Sequence, residues 1–153
     1  MSDRHGWNSW DSYQAIHDNC LRDYDHFIIE YGLTPVPTDN LAYWAGVLYS
    51  SGGIEIHITK YQESEFRNGQ RFARTVQYSY HVLRRQASHT INLFRYDNIH
   101  VQPGHATAHH YHRFDDGGNE IEPPTHMGEA GWPLLSEVIE EVYNGWLEQS
   151  GDD

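Results

Sequence analysis

The chain has 153 residues, of which 38% are hydrophobic, and a formal net charge of -12 at pH 7. This length fits one domain around a single core, and the lone cysteine, Cys20, excludes an internal disulfide or a cysteine-based metal cluster. No apolar run approaches the roughly twenty residues that cross a bilayer, and the first residues lack a signal-peptide pattern. The sequence therefore predicts a soluble cytoplasmic protein with no membrane partner.

Charge is unevenly distributed along the chain. Residues 1–65 carry three basic and ten acidic residues, residues 66–113 carry seven arginines and one acid, and residues 114–153 carry eleven acids and no base. The corresponding net charges are -7, +6 and -11. A basic middle favours an anionic partner such as RNA, but the arginines could equally pair with the acidic flanks.

The N-terminal part favours a helix. Apolar residues recur at spacings of three and four from Trp10 to Tyr31, which predicts a helix over residues 10–31, although the segment HFIIEY within it could instead form a strand. Gly32 and the prolines that follow it are typical of a helix end. We interpret residues 1–40 as a helical N-terminal extension that ends in a connector over residues 34–40.

The middle of the chain, residues 41–115, favours β-structure because β-branched and aromatic residues alternate with polar ones between turn signals. The predicted strands cover residues 42–49, 54–61, 72–83 and 89–96, with a shorter fifth strand over 109–114. The short links between them predict antiparallel pairing.

The C-terminal part, residues 116–153, begins with an acidic, proline-bearing loop. Pro133 then suits the first turn of a helix, and an apolar stripe from Leu135 to Trp146 predicts that this helix packs on the sheet. The whole chain is therefore predicted to be a single α+β domain, an antiparallel sheet of four to five strands flanked by an N-terminal and a C-terminal helix.

The segment FRYDNIHVQPGHATAHHYHRF, residues 94–114, is the strongest candidate for chemistry. It contains five histidines, two arginines and one acid: His100, His105, His109, His110, His112, Arg95, Arg113 and Asp97. Imidazole titrates near neutral pH, so this grouping indicates proton transfer, metal binding or anion binding.

Strand alternation separates these residues into two faces. His110 and His112 are predicted to point to one face, and Tyr111 and Arg113 to the other. On the preceding strands, one face is aromatic and the other carries His81, Arg95 and Asp97.

Four segments carry a family resemblance: YSYHVL (78–83), LFRYDNIH (93–100), HHYHRFD (109–115) and WPLLSEVIEEV (132–142). Together they resemble the TumE family of small toxins from prokaryotic toxin–antitoxin pairs, over roughly residues 54–148 of this chain. The most specific piece is Arg95-Tyr96-Asp97-Asn98, followed by the histidine-rich segment and the C-terminal helix. The resemblance implies a growth-inhibiting protein held in check by a cognate antitoxin, commonly a DNA-binding one, and implies no particular reaction.

One hypothesis for the histidine segment is RNA cleavage without a metal or other cofactor. His110 and His112 would act as acid and base, with Arg95 or Arg113 as the phosphate clamp and Asp97 orienting a histidine. The proposed substrate-binding residues are Arg84, Arg85, Tyr96, Tyr111 and His81, and the two tyrosines could stack on bases.

Two alternatives stay open. His110 and His112, together with His100 or His105, could bind zinc or another divalent transition metal, although the arginine-rich surroundings oppose a dication. Otherwise the segment has no chemical role and forms an antitoxin-binding surface.

Overall fold

The computed structural model describes residues 7–24, 28–31, 34–37, 40–87, 89–98, 109–115, 117, 119–126 and 133–147. Nine strands form one antiparallel sheet: β1 Asn8–Ser9, β2 Ile28–Tyr31, β3 Thr34–Pro37, β4 Leu41–Ser50, β5 Ile54–Arg67, β6 Gln70–Arg85, β7 Thr90–Asp97, β8 His110–Phe114 and β9 Glu120–His126. Helix α1 spans Trp10–Asp23, and helix α2 spans Leu135–Glu141 and continues into a π-helical segment, Val142–Leu147. Seven strands follow one another in the order β2-β4-β5-β6-β7-β8-β9, while β3 also pairs with β4, and β1 with β6.

The structure confirms the α+β class, the antiparallel sheet and the two helices. The sheet has more strands than the four to five that were predicted. Helix α1 ends at Asp23, and the HFIIEY alternative is correct in that Ile28–Tyr31 is a strand. Three of the additional strands lie along the edges of the sheet, where proline is tolerated because an edge position need not donate a ladder hydrogen bond. The predicted connector over residues 34–40 and the predicted loop before Pro133 were therefore wrong where β3 and β9 form.

The hairpin between β5 and β6 sets the register of the central strands. Its two-residue turn, Asn68-Gly69, has positive φ at both positions, 52° and 82°, as a tight hairpin turn of matching twist requires. Arg67 and Gln70 pair directly beside this turn. From the turn onward the two strands pair residue by residue, so their side chains alternate regularly between the two faces as far as a bulge at Tyr61 and Gln62. Beyond the bulge the regular pairing resumes toward the other end of both strands.

Both helices pack on the same face of the sheet. Residues of the two helices and of four strands share one core cluster: Cys20, Leu21, Leu48, Ile54, Ile56, Ile58, Tyr78, Tyr80, Val82, Leu93, Phe94, Leu135, Val138, Ile139 and Val142. We call this side the helix face. The opposite side carries Glu55, His57, His81, Arg95, Asp97 and His112, and we call it the histidine face.

No helix in the described part of the chain is long and apolar enough to cross a membrane.

Candidate functional site

Three neighbouring strands bring His81, Arg95 and His112 side by side on the histidine face. Arg95 of β7 pairs directly with His81 of β6 on one side and with His112 of β8 on the other. Directly paired residues of antiparallel strands point to the same face, and two strand spacings put the backbones of the two histidines about 10 Å apart. The two imidazoles therefore flank one guanidinium.

Asp97 holds two of these groups in place. Its Oδ2 accepts a hydrogen bond from Arg95 Nε at 2.8 Å and lies 3.2 Å from His112 Nε2. Burial pushes the pKa of Asp97 upward, but the hydrogen bonds and charges of His112 and Arg95 outweigh this and hold the pKa below its usual value. Asp97 is thus placed to hold both the Arg95 guanidinium and the His112 ring, which it contacts at Nε2.

Glu120 of β9 closes the cluster from the other side of His112. Its Oε1 accepts a hydrogen bond from His112 Nδ1 and lies 3.9 Å from Arg95 Nη2. The Glu120 side chain is 30% exposed, whereas that of Asp97 is 7% exposed. His112 and Arg95 therefore both face a partly exposed position. The carboxylate of Glu120, an anion of the protein itself, occupies that position.

His112 is an imidazolium in this arrangement. Both of its ring nitrogens lie against carboxylates, and the hydrogen bond to Asp97 is the largest of the influences that raise its pKa. Burial and the nearby Arg95 act in the opposite direction but do not prevail. The two carboxylate contacts and the raised pKa therefore both favour the protonated form of His112.

His81 has the opposite protonation state. Its Nε2 lies 2.9 Å from Asn92 Oδ1, which can only accept, so Nε2 carries the proton and Nδ1 the lone pair. Burial lowers the pKa of His81, the hydrogen bond to Asn92 raises it, and the electrostatic influence of Arg95, His57 and His112 lowers it further, so that the net direction is downward. Two histidines whose environments drive their pKa values apart have the complementary states that acid–base catalysis needs.

The structure places His110 and Arg113 differently from the predicted catalytic set. His110 is on the histidine face, with its ring centre 6.3 Å from that of His112, but only 1% of it is exposed. Arg113 pairs with Phe94, so it belongs to the helix face and does not meet His112 or Arg95. Of the two arginines, Arg95 is therefore the one that lies beside His112 on the histidine face.

Tyr96 and Tyr111, predicted to stack on bases, lie on the helix face. Their rings stack on each other with centres 4.6 Å apart, and their hydroxyls donate to the Glu141 carboxylate of α2 at 2.7 and 3.0 Å. These contacts fix α2 to the sheet. The two tyrosines are accordingly structural in this fold.

Arg84 and Arg85 point to opposite faces. Arg84 pairs with the core residue Ile54 on the helix face. Arg85 forms a two-point ion pair with Glu55, at 2.6 and 3.2 Å, and His57 Nε2 lies 3.0 Å from the same carboxylate. Arg85 thus lies on the histidine face, but its guanidinium is already paired with the Glu55 carboxylate.

The motif Arg95-Tyr96-Asp97-Asn98 divides its tasks between the two faces. Arg95 and Asp97 build the charged cluster, while Tyr96 anchors α2. The Asn98 side chain accepts from the Tyr78 amide at 2.8 Å and donates to the Val76 carbonyl at 2.9 Å, which ties the end of β7 to β6. The four residues of this motif therefore serve two purposes. Arg95 and Asp97 form the charged cluster, while Tyr96 and Asn98 hold the helix and the strands in place.

Ion pairs neutralise part of the basic middle of the chain. Among the described residues, four of its seven arginines form ion pairs: Arg67 with Glu65, Arg74 with Glu63, Arg85 with Glu55 and Arg95 with Asp97. Three of these acids come from the acidic segment 1–65. This arrangement supports the pairing alternative over a broad polyanion-binding surface.

Two features of the histidine face escaped the sequence analysis. Glu120 joins the site only because β9 pairs with β8, and the prolines had hidden that strand. Tyr43 and Tyr61 pair across β4 and β5, with ring centres 5.8 Å apart, and are 39% and 47% exposed. Their place on strands 42–49 and 54–61 was the signal that could have found them.

The metal alternative rested on four histidines, of which His100 and His105 lie outside the described residues. Within the described part of the chain, no group of three or more His, Cys, Asp or Glu could hold a metal ion. Both ring nitrogens of His112 are engaged by carboxylates, so a protonated His112 offers no lone pair to a metal.

No protein-family model matches the chain, and no curated protein or solved structure matches it either. The likeness to TumE toxins therefore stays a prediction that the sequence motifs alone carry.

Proposed function

We propose that this protein cleaves RNA without a metal ion, with His81 as general base, His112 as general acid and Arg95 as the phosphate clamp between them. The observation that carries the proposal is the pairing of a neutral and a protonated imidazole on either side of one guanidinium. This is the ribonuclease hypothesis drawn from the sequence, with the base moved from His110 to His81.

The reaction follows from the two protonation states. His81 Nδ1 takes the proton of a ribose 2′-hydroxyl, and the 2′-oxygen attacks the adjacent phosphorus. The bond from phosphorus to the 5′-oxygen breaks, and His112 Nδ1 gives its proton to that oxygen. The products are a 2′,3′-cyclic phosphate and a 5′-hydroxyl. Arg95 stabilises the extra negative charge of the pentacoordinate phosphorus, and Asp97 keeps both cations oriented.

Substrate entry requires the Glu120 carboxylate to leave His112 Nδ1. A phosphodiester oxygen would take the position of Glu120 Oε1, since that position faces both His112 and Arg95. Glu120 is the more exposed of the two carboxylates around His112 and belongs to the edge strand β9, so it is the one that can be displaced. Glu120 is thus an internal competitor of the substrate phosphate.

The exposed pair Tyr43 and Tyr61 supplies a stacking surface on the same face. Tyr61 is four residues along β5 from His57, which pairs directly with His81. Four residues of strand span about 13 Å, a distance that single-stranded RNA covers in two or three nucleotides. Bases downstream or upstream of the scissile phosphate can therefore reach these rings.

The resemblance to TumE toxins supports a cellular role for such an activity. In that role the protein is the toxin of a toxin–antitoxin pair, and its cognate antitoxin blocks the histidine face. Expression of the chain alone would then arrest growth, and the site variants below would relieve the arrest.

The direct test is digestion of an oligonucleotide that contains one ribonucleotide within DNA, in the presence of EDTA. Cleavage is expected only after the ribonucleotide, with a cyclic phosphate product detected by mass spectrometry, and an all-DNA control of the same sequence stays intact. Cleavage that EDTA abolishes would instead support the metal alternative. Absence of cleavage of any RNA would contradict the proposal and favour an antitoxin-binding protein.

The variant Glu120→Gln is expected to bind substrate more tightly. Gln keeps the size of the side chain but removes the negative charge that competes with phosphate, so the KM for RNA should fall about two- to tenfold, a change of up to ~1.4 kcal/mol. Asp18→Asn, on the exposed side of α1, serves as the control for loss of one surface charge. Equal KM values for both variants and the wild type would exclude displacement of Glu120.

The double variant Tyr43→Ala/Tyr61→Ala is expected to weaken RNA binding by about 1–3 kcal/mol for each base that stacks. Cleavage of a minimal dinucleotide should be unaffected, since it does not reach the rings. Tyr49→Ala removes a tyrosine of similar exposure on the same strand, 41%, and is the matched control. Equal affinity of the double variant for a long RNA would show that these rings do not contact the substrate.

A further inference from the structure

A cavity of about 270 Å³ lies on the helix face, between α1, β5 and the start of α2. Its walls are partly apolar, with Ile16 and Leu135, and partly polar, with His17 and Lys60. Ile16 is 53% exposed, so the cavity reaches the surface beside α1. The histidine face is on the other side of the sheet, and this cavity is therefore separate from the site proposed above.

Lys60 is buried in the wall of this cavity, with 3% of the residue exposed. Its ammonium donates one hydrogen bond, to His17 Nε2 at 3.2 Å. Among the described residues it forms no ion pair. The nearest aromatic contribution is the Tyr80 ring, whose centre lies 5.9 Å from Nζ.

His17 cannot neutralise this charge. Its Nδ1 donates to the Tyr13 carbonyl at 2.7 Å, and its ring stacks on Trp44 with centres 4.2 Å apart, so Nε2 presents a fixed lone pair. Burial, followed by the charge of Lys60, lowers the pKa of His17 to about 3. His17 is therefore a neutral hydrogen-bond acceptor that holds the Lys60 ammonium in place in the cavity wall.

Three other buried polar side chains of this region are hydrogen-bonded to one another. Trp44 Nε1 donates to Gln62 Oε1 at 3.0 Å, and Gln62 Nε2 donates to Thr75 Oγ1 at 3.1 Å. Lys60 differs from them because a buried ammonium needs an opposite charge rather than a neutral acceptor. The acid Asp23 also lines the cavity, but its side chain is exposed and forms no ion pair with Lys60. A buried cation that lines a cavity without a paired carboxylate is the mark of an anion site.

We propose that this cavity binds a small organic carboxylate, whose anionic group pairs with Lys60 Nζ and whose apolar part packs between Ile16 and Leu135. The volume is slightly below the usual range of ligand pockets, which limits the ligand to a few carbon atoms or a single ring. Burial lowers the pKa of Lys60 to about 8, so the lysine is still mainly charged at neutral pH. A carboxylate fits better than a phosphate monoester because Lys60 is the only cation that lines the described walls.

The proposal is tested by calorimetric titration of the full chain with sodium butyrate and sodium benzoate, each beside its neutral amide. Carboxylates are expected to bind at least about tenfold more tightly than butyramide and benzamide, and Lys60→Met should remove this preference. Asp23→Asn, which removes an acid from the cavity lining, should keep the preference and strengthen carboxylate binding.

Equal binding of acid and amide by the wild type would overturn the proposal, as would a preference that persists in Lys60→Met. Failure of both carboxylates to bind at millimolar concentration would overturn it too. Circular dichroism of Lys60→Met checks that the variant is folded. RNA cleavage is expected to be unchanged in this variant, so the outcome is independent of the ribonuclease proposal.

Discussion

Replacing His112 with glutamine is expected to reduce RNA cleavage by roughly 10²- to 10⁴-fold, the usual contribution of a general acid. Glutamine can still donate one hydrogen bond to Asp97 or Glu120, which keeps the cluster together, but it cannot deliver a proton to the leaving oxygen. A leaving group that needs no proton separates the two effects. A substrate with p-nitrophenol as the leaving group should lose far less of its rate in His112→Gln.

Replacing His81 with glutamine should reduce cleavage by a similar factor, but with a different pH signature. In the wild type, kcat/KM should rise with pH as His81 loses its proton and fall as His112 loses its own. Because the pKa of His81 is lowered and that of His112 is raised, the two limbs lie on either side of the ordinary value of 6.5, and the profile has a plateau between them. His81→Gln should lose the acid limb, and His112→Gln the alkaline limb.

His57, which is close to His81, provides a control variant for these pH profiles. His81 faces Asn92, Arg95 and His57, so His57→Gln removes an imidazole of the same face that touches neither proposed proton-transfer atom. This variant should keep nearly full activity and shift the acid limb slightly upward, because His57 is one of the groups that lower the pKa of His81.

His110→Gln distinguishes the two assignments of the base. If this variant is inactive while His81→Gln retains activity, the sequence-based pair His110 and His112 is correct and the reassignment is wrong. His110 is almost fully buried, so its variant also needs a stability measurement, because lost activity could follow from a damaged fold.

Local patterns predicted much of the histidine face. Alternation along single strands was sufficient to put His81, Arg95 and Asp97 on one face and the aromatic residues on the other, since side-chain direction depends only on position within a strand. The same rule separated His112 from Arg113. These predictions did not need the order of strands in the sheet.

The partners of these residues depend on pairing between strands, which a pattern within one strand does not contain. Direct pairing of Arg95 with both His81 and His112 follows from the order β6-β7-β8, and Glu120 enters through an edge strand that its prolines disguised. The protonation states follow in turn from those partners, so the sequence could name histidines but could not assign the base. Tyr96 and Tyr111 were misleading for a related reason, because a tyrosine that anchors a helix and one that stacks on a base look alike in sequence.

Replacing Lys60 with methionine is expected to stabilise the unliganded protein at neutral pH, by about 1–3 kcal/mol in the free energy of unfolding. Methionine fills the same space without a charge, and the gain is limited because His17 Nε2 loses its hydrogen-bond donor. Most substitutions of a residue with 3% exposure destabilise a protein, so the expected direction is itself diagnostic.

The pH dependence of folding stability tests independently whether the charge of Lys60 destabilises the protein. Lys60 has an ordinary pKa of 10.5, which burial lowers to about 8 in the folded protein, so the folded state binds fewer protons than the unfolded state between these values. The destabilisation by Lys60 is therefore complete below pH 8 and is relieved as the pH rises toward 10.5. Urea unfolding on both sides of this interval should show the advantage of Lys60→Met shrinking at high pH.

Saturating benzoate should reduce the same advantage at neutral pH, since a bound carboxylate supplies the counter-charge that Lys60 lacks and stabilises only the wild type. A variant that is less stable than the wild type at every pH would mean that the ammonium is already compensated within the fold. A stability difference that neither pH nor benzoate changes would mean that packing, and not charge, distinguishes the two proteins. Only a difference that both conditions diminish fits a buried cation held ready for a carboxylate.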